Sequence, residues 1–188
     1  MNKGEFQFEL DLSSSLTNWD YSSNNFQVWI DKASVRDLMG DFYLRLIWAD
    51  DKIERNLSIE IKSSTLKALT YANYNNVFRG RIQVSDIKPT RQCYIAVWIG
   101  DLSDGQWIII PPVYINNIFL RAGRRTDYNR HLTFEKKVID IGETLGLVTT
   151  SKNDLLEVVL AAMDRNDKRI VSNKFNRIEN KFMQCAIW

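Results

Sequence analysis

Apolar and polar residues alternate along several short segments of the first 110 residues, which is the period of a half-buried β-strand. The segments that show this alternation, or a short apolar run, are 6–12, 26–30, 42–48, 57–61, 77–84, 93–99 and 106–110. The Asp104-Gly105 pair between the last two is a hairpin turn signal, because glycine tolerates the positive φ of such turns. We expect an antiparallel sheet whose last strand stops at Pro111-Pro112 and continues as an extended segment through Tyr114.

The hydrophobic period changes in the last third of the chain. Apolar residues from Phe134 onward are spaced by 4, 3 and 4 positions, which predicts a helix with Thr133 as its N-cap and Gly146 as its C-cap. Ser151 and Ser172 precede two more apolar stripes, and we expect them to cap two further helices.

The order of elements, strands first and helices last, predicts an α+β fold. We expect one domain over residues 1–188, with an antiparallel β-sheet core at 5–115 and a helical C-terminal part at 132–188. A short helical turn is expected at 33–39, closed by Gly40. Hydrophobic residues make up 45% of the chain and charged residues 26%, which is typical of a folded, soluble protein.

Composition limits both the chemistry and the location. His131 is the single histidine of the chain, which argues against most metal centres and catalytic triads. Cys93 and Cys185 lie far apart and predict neither a disulfide framework nor a zinc site, so we expect free thiols in a reducing, cytoplasmic compartment. The sequence shows no signal-peptide core and no apolar run of about 18 residues, which predicts a protein that is not secreted and has no transmembrane helix.

The segment from Gly40 to Ser64 carries the most specific chemical pattern. It predicts two strands around a polar turn, with Asp41 before the first strand and with Glu60 and Lys62 on the second. Two carboxylates on neighbouring strands can hold a divalent metal, and a lysine beside them can position or activate water. In these residues the segment resembles the PD-(D/E)xK nuclease superfamily, which implies Asp41, Glu60 and Lys62 as catalytic residues and Mg²⁺ as cofactor.

The pairing of the two strands decides this interpretation. If the turn centres on Asp50-Asp51, Asp41 lies opposite Glu60 and the two can share a metal. If the loop spans 49–56, Arg45 lies opposite Glu60, and the charges form an ordinary surface salt bridge on the wet face of an amphipathic sheet. The nuclease superfamily also usually has a long helix before the Asp strand, whereas this chain predicts strands there.

A basic stretch lies between the predicted sheet and the first C-terminal helix. Its cations are Arg121, Arg124, Arg125, Arg130, Lys136 and Lys137. Residues 121–188 hold 13 Lys and Arg against 9 Asp and Glu, whereas residues 1–120 hold 12 against 14. Clustered cations beside apolar residues suit an anionic membrane surface or a nucleoprotein, so these six are the expected binding residues for an anionic partner. The plainer alternative is a solvated loop.

Several segments also follow one another in a particular order. They are 6–10 as an aromatic first strand, 34–38 as a short helix, Gly80-Arg81 within a strand, 94–101 as a strand with an acidic end, 134–137 in a helix, and 145–148 at a helix break. This order resembles that of rhabdovirus matrix proteins. The resemblance implies a structural protein of the virion that self-associates as a homo-oligomer and bridges nucleoprotein or RNA to an anionic membrane surface.

Three hypotheses for the function follow. The matrix-like assembly role, with no enzymatic activity, no cofactor and no small-molecule substrate, is the leading one, because the motifs of most enzyme classes are absent from the sequence. A metal-dependent PD-(D/E)xK nuclease is its rival, since such enzymes need few residues. A β-rich module that binds other proteins is the third.

Overall fold

The computed structural model of the chain describes residues 3–19, 26–32, 40–48, 54–64, 67–69, 77–83, 93–100, 105–121 and 131–186. Its helices are α1 (Lys3–Thr17), α2 (Pro112–Arg121), α3 (Lys136–Thr144), α4 (Leu155–Ser172) and α5 (Arg177–Cys185). Its strands are β1 (Phe26–Lys32), β2 (Phe42–Trp48), β3 (Glu54–Ser64), β4 (Lys67–Leu69), β5 (Val77–Gln83), β6 (Cys93–Gly100), β7 (Gly105–Ile110), β8 (His131–Glu135) and β9 (Val148–Thr149). A 3-10 turn, Lys152–Asp154, precedes α4.

The strands form two sheets. The larger sheet has the order β1-β2-β3-β6-β7-β9, and the smaller has the order β4-β5-β8. Neighbouring strands are antiparallel, except that β3 and β6 form a parallel pair at the centre of the larger sheet. This arrangement confirms the predicted α+β class. It differs from the expected antiparallel sheet because β3 and β6 run parallel. It also places β3 between two partners in the middle of the larger sheet.

The first element is a helix, so the strand predicted at 6–12 is wrong. Phe8 and Leu12 are fully buried, whereas Phe6 and Leu10 expose 48% and 49% of their surface. The buried pair is spaced by four residues, which is one turn of a helix, and the exposed pair lies on another face. The expected sheet core at 5–115 therefore begins with a helix that packs on the sheet.

Helix α1 is held to the sheet by rings and by one buried polar contact. The Phe8 ring lies 5.4 Å from that of Phe42 on β2 and 5.3 Å from that of Trp107 on β7. The indole Nε1–H of Trp107 donates to Oδ2 of Asp11 at 2.8 Å. Because Asp11 is almost fully buried, this hydrogen bond satisfies a carboxylate that would otherwise be costly to bury.

The chain turns directly from β7 into helix α2. Helix α2 begins at Pro112, and the carbonyl of Pro111 accepts the N–H of Tyr114 at 3.0 Å. The extended segment predicted through Tyr114 is therefore wrong. Proline ends a strand, but it also suits the first position of a helix, where its missing N–H costs nothing.

The helix predicted to start after Thr133 starts later. Residues His131–Glu135 form β8, in which Phe134 is buried opposite Gly80 of β5, and α3 then begins at Lys136. Gly146 follows the helix with a φ of +67°, so the predicted role of a glycine at this helix end is confirmed.

The caps of the last two helices differ from those predicted. The hydroxyl of Ser15, on α1, accepts the N–H of Leu156 at 2.9 Å in the first turn of α4, whereas Ser151 makes no side-chain capping bond. Helix α5 starts after Asn176, whose side chain forms a capping box, and not after Ser172. A cap supplied from a distant helix leaves no local signal in the sequence.

Several predictions fall outside the described residues, among them the helical turn at 33–39, the turn at Asp50-Asp51 and the Asp104 side of the β6–β7 turn. The antiparallel pairing of β6 with β7 on either side of that turn is confirmed. In the part of the chain that the structure describes, no helix combines the length and the apolar character needed to cross a membrane.

Candidate active site

The candidate site begins at a glycine that no other residue could replace without strain. Gly40 has a φ of +141°, which residues with a side chain rarely adopt. A Cβ atom at this position would lie 2.6 Å from Oγ of Ser58 and 2.9 Å from the carbonyl oxygen of Ile59. Gly40 thus lets the chain enter β2 tightly against β3, immediately before Asp41.

Asp41 is fixed to β3 through its backbone and its side chain. Its N–H donates to the carbonyl of Ile59 at 2.8 Å, and its Oδ2 accepts the N–H of Ile61 at 2.6 Å. The carboxylate of Asp41, which lies just before the first residue of β2, thus satisfies a backbone N–H of β3. Its position is therefore set by the backbone of β3, independently of any partner or ligand.

The register of β2 on β3 decides between the two pairings left open by the sequence. Phe42 pairs with Ile59, and Arg45 pairs with Asn56. Continuing this register by one residue places Asp41 beside Glu60, as expected for a turn centred on Asp50-Asp51. Arg45 does not face Glu60, so the alternative of an Arg45–Glu60 surface salt bridge is excluded.

Glu60 and Lys62 form an ion pair next to Asp41. Side chains two residues apart on a strand share a face, and Nζ of Lys62 lies 2.6 Å from Oε1 of Glu60. Their side chains are 21% and 23% exposed, so the pair is partly shielded from water but remains accessible. The structure thus brings together all three of the residues, Asp41, Glu60 and Lys62, that the nuclease hypothesis requires.

The electrostatic surroundings of Asp41 favour a positive charge nearby. Burial raises the pKa of its carboxyl above the ordinary value, the hydrogen bond from Ile61 opposes this, and the charges of Glu60 and Glu5 raise the pKa further. The charge of Lys62 lowers the pKa of Asp41, but its effect is the smallest of these. Two further carboxylates therefore act on Asp41, and a bound cation would relieve their mutual repulsion.

Glu5 is an acidic residue of this site that the sequence interpretation missed. It lies in the first turn of α1, and α1 starts close to the end of β3, since a Cβ on Gly4 would lie 3.3 Å from Cβ of Ser63. The spacing of Phe8 and Leu12 fits a helix, but both residues also belong to the alternation at 6–12 that predicted a strand. A strand at 6–12 gave no reason to expect Glu5 near Asp41.

Cys93 lies at the buried side of the same region. It pairs with Ser58 across the parallel β3–β6 ladder, and its Sγ is 3.7 Å from Oγ of Ser58. Burial, with the charge of Glu60 adding to it, raises the pKa of the Cys93 thiol to about 11, although the hydrogen bond with Ser58 opposes the shift. The thiol therefore stays protonated near neutral pH and is not a nucleophile.

Only part of the basic stretch lies within the described residues. Arg121 is the last residue of α2, whereas Arg124, Arg125 and Arg130 lie outside the described residues. Lys136 and Lys137 are exposed at the start of α3, and Nζ of Lys136 lies 3.9 Å from Oδ1 of Asp140. The prediction that these six residues bind an anionic partner stays a prediction.

Two arginines of α4 contact a buried carboxylate inside the protein. Nε of Arg169 donates to Oε1 of Glu179, on α5, at 2.8 Å, and NH1 of Arg165 lies 3.6 Å from the same oxygen. The hydroxyl of Tyr114 donates to this oxygen at 2.6 Å, and the backbone N–H of Asn176 donates to Oε2 at 2.8 Å. Glu179 is fully buried, and its charge is satisfied within the fold.

The donor set at Asp41 and Glu60 suits magnesium. Within the described residues, no three His, Cys, Asp or Glu side chains form a group that could hold a metal by themselves. Mg²⁺ does not require such a cage, because it keeps several waters and commonly binds through one or two carboxylates plus substrate phosphates. Comparisons with protein-family models, with curated proteins and with solved structures found no match.

Proposed function

We propose that this protein is a metal-dependent nuclease of the PD-(D/E)xK type, which hydrolyses a phosphodiester bond of a nucleic acid. The observation that carries the proposal is the β2–β3 register, which brings Asp41 beside Glu60 and leaves Lys62 in contact with Glu60. Three residues of the required types thus lie together on the central strand and its neighbour.

Each residue of the site has a role in this chemistry. Asp41 and Glu60 would hold Mg²⁺, which when bound neutralises charge on the phosphate and lowers the pKa of water. Lys62 would donate hydrogen bonds that position the attacking water and would offset negative charge beside the phosphate. In the reaction the water loses one proton as its oxygen bonds to phosphorus, the bond from phosphorus to the leaving oxygen breaks, and the leaving oxygen takes up a proton.

Helix α1 supports the same proposal. The nuclease superfamily that this segment resembles usually has a helix before the Asp strand, and α1 precedes that strand in the chain, with β1 between them. The sequence interpretation predicted a strand there, which counted against a nuclease. Glu5, at the start of this helix, adds a third carboxylate that acts on Asp41.

The matrix-like assembly role and the protein-binding module stay predictions. Their support came from the order of elements and from the basic stretch, whose central arginines fall outside the described residues. The segment taken as the aromatic first strand of that order is helix α1. The nuclease proposal is favoured because Asp41, Glu60 and Lys62 lie within the described residues on β3 and beside it.

We further propose that the protein acts in the reducing cytoplasm. Its two cysteines are both free thiols, and Cys93 is buried. Free cysteines are typical of compartments in which glutathione keeps thiols reduced.

The test is a cleavage assay with single-stranded and duplex DNA and RNA in Mg²⁺, in Mn²⁺ and in EDTA. We expect cleavage only with a divalent metal. Glu60→Gln should lower the rate by about 100-fold or more, because even residues that only support a metal ligand cost about 10- to 100-fold when changed.

Glu157→Gln is the control, since Glu157 is an exposed carboxylate on α4 and belongs to neither site. It should cleave at the wild-type rate. Absence of cleavage by the wild type, cleavage in EDTA, or equal rates for the two glutamine variants would each overturn the proposal.

A further inference from the structure

An exposed tryptophan lies on the edge strand of the larger sheet. Trp29 of β1 exposes 51% of its surface, although tryptophan usually buries most of its large ring. It pairs with Arg45 of β2, which in turn pairs with Asn56 of β3. An exposed flat ring on a sheet face is a surface on which a nucleic-acid base can stack.

Arg45 completes this surface with a positive charge. Its guanidinium carbon lies 5.6 Å from the centre of the Trp29 ring, within the range of a cation–π contact. Its Nε lies 4.0 Å from Oε1 of Glu54, and its side chain is 43% exposed. The exposed part of the guanidinium can therefore donate to a phosphate oxygen beside the ring.

Arg45 lies on β2, the strand that Asp41 of the candidate active site precedes, and Trp29 lies beside Arg45 on β1. Arg45 follows Asp41 by four residues on β2, so the two positions are about 14 Å apart along the strand. At the duplex rise of about 3.4 Å per nucleotide this distance spans about four nucleotides, and fewer in an extended strand. One short nucleic-acid segment can therefore reach both places.

We propose that Trp29 and Arg45 form a stacking subsite for a base of a single-stranded nucleic acid, a few nucleotides from the phosphate at Asp41 and Glu60. The inference rests on the proposed nuclease function and names its substrate class. In a duplex, neighbouring base pairs cover both faces of every internal base, whereas a single strand can present a free face to an aromatic ring. The subsite thus selects single strands or single-stranded ends over duplex.

The test is a binding measurement on the full chain carrying Glu60→Gln, in EDTA, with fluorescently labelled oligonucleotides of about 12 nucleotides. We expect tighter binding of single-stranded DNA or RNA than of duplex, with the DNA and RNA arms showing which sugar is preferred. Adding Trp29→Ala should raise the Kd for the single strand about 5- to 150-fold, the range for the loss of one base–aromatic stack. Trp29→Phe should keep most of the affinity.

Phe6→Ala is the control, because Phe6 on α1 is 48% exposed and lies on another element. Thermal unfolding checks that both variants are folded. Equal Kd values for Trp29→Ala and Phe6→Ala would then overturn the subsite. Equal Kd values for duplex and single strand would overturn it as well. Glu60-dependent cleavage without Trp29-dependent binding would remove the subsite alone. Trp29-dependent binding with no cleavage by the wild type would instead remove the nuclease and leave the subsite standing.

Discussion

Two carboxylate sites in this molecule have opposite electrostatic surroundings. Burial alone would raise the pKa of Glu179, but hydrogen bonds led by those from Arg169 and Tyr114 outweigh it, and the pKa lies below the ordinary value. At Asp41 burial also raises the pKa, and there the charges of Glu60 and Glu5 add to the increase. The fold neutralises the first carboxylate itself, whereas it leaves negative charge at the second.

This difference separates the structural role of Glu179 from the role that we propose for Asp41 and Glu60. Glu179 joins α4, α5 and α2 through Arg169, its own capping box and Tyr114. Asp41 and Glu60 have Lys62 as the cation that acts on this pair. A site that keeps carboxylates together with incomplete compensation loses stability by itself and gains it when a cation binds.

The largest expected effect is the loss of the Glu179 network. Glu179→Ala would leave Arg165 and Arg169 without their shared acceptor, at 26% and 22% side-chain exposure. We expect a loss of about 3 kcal/mol in the free energy of unfolding, near the lower end for breaking a buried ion pair. Urea denaturation measures it, with exposed Glu157→Ala as control, for which we expect less than about 0.5 kcal/mol. Equal losses of unfolding free energy for the two variants would show that Glu179 has no special structural role.

A second prediction concerns metal binding at Asp41. In EDTA, Asp41→Asn should be at least as stable as the wild type, because an amide oxygen can still accept the N–H of Ile61 and repulsion with Glu60 is removed. With Mg²⁺ at 100 times its Kd, the wild type should gain about 2.7 kcal/mol of stability, and the variant should gain little.

Thermal unfolding with and without Mg²⁺ measures this change. Asp140→Asn, an exposed carboxylate on α3 that pairs with Lys136, serves as the control and should respond to Mg²⁺ like the wild type. If Asp41→Asn is stabilised by Mg²⁺ as much as the wild type, Asp41 is not a ligand.

A smaller effect is expected in the pH dependence of stability. The raised pKa of Asp41 means that the folded state holds its proton more tightly, so the favourable contribution present below pH 3.8 is lost as pH rises through the folded pKa. The lowered pKa of Glu179 has the opposite sign, since its contribution is present above pH 4.5 and is lost as pH falls through the folded pKa.

Urea denaturation between about pH 3 and pH 7 tests both signs, because this range spans the ordinary pKa values of the two carboxyl groups. As pH rises, Asp41→Asn should become more stable relative to the wild type, and Glu179→Gln should become less stable. Parallel curves for both variants would show that neither carboxylate changes its pKa on folding.

The strands of the site could be predicted from the sequence, whereas their pairing could not. Alternation at 42–48 and 57–61 reflects one buried face, a property of each strand alone, and it predicted β2 and β3 correctly. The register depends on where the turn is centred, and a polar segment at 49–53 permits more than one answer. The choice between Glu60 and Asn56 as the partner of Arg45 therefore required the structure.

Helix α1 could not be predicted because its buried face depends on distant partners. Besides Phe8 and Leu12 this face includes Asp11 and Ser15, which are buried polar residues. Asp11 is satisfied by Trp107, and Ser15 by groups of the turn before α4 and of α4 itself. A pattern of apolar residues does not report such contacts, so the alternation from Phe6 to Leu12 predicted a strand.

The contact between Ser15 and Leu156 also determines when the protein can become complete during synthesis. The two residues are 141 positions apart, and Ser15 also bonds the carbonyl of Asn153. Helix α1 therefore leaves the ribosome long before the chain that caps and covers it has been made. Contacts of such long sequence separation slow folding and prolong the exposure of apolar surface. Ser15 of α1 can therefore reach both of its hydrogen-bond partners only after the start of α4 has emerged.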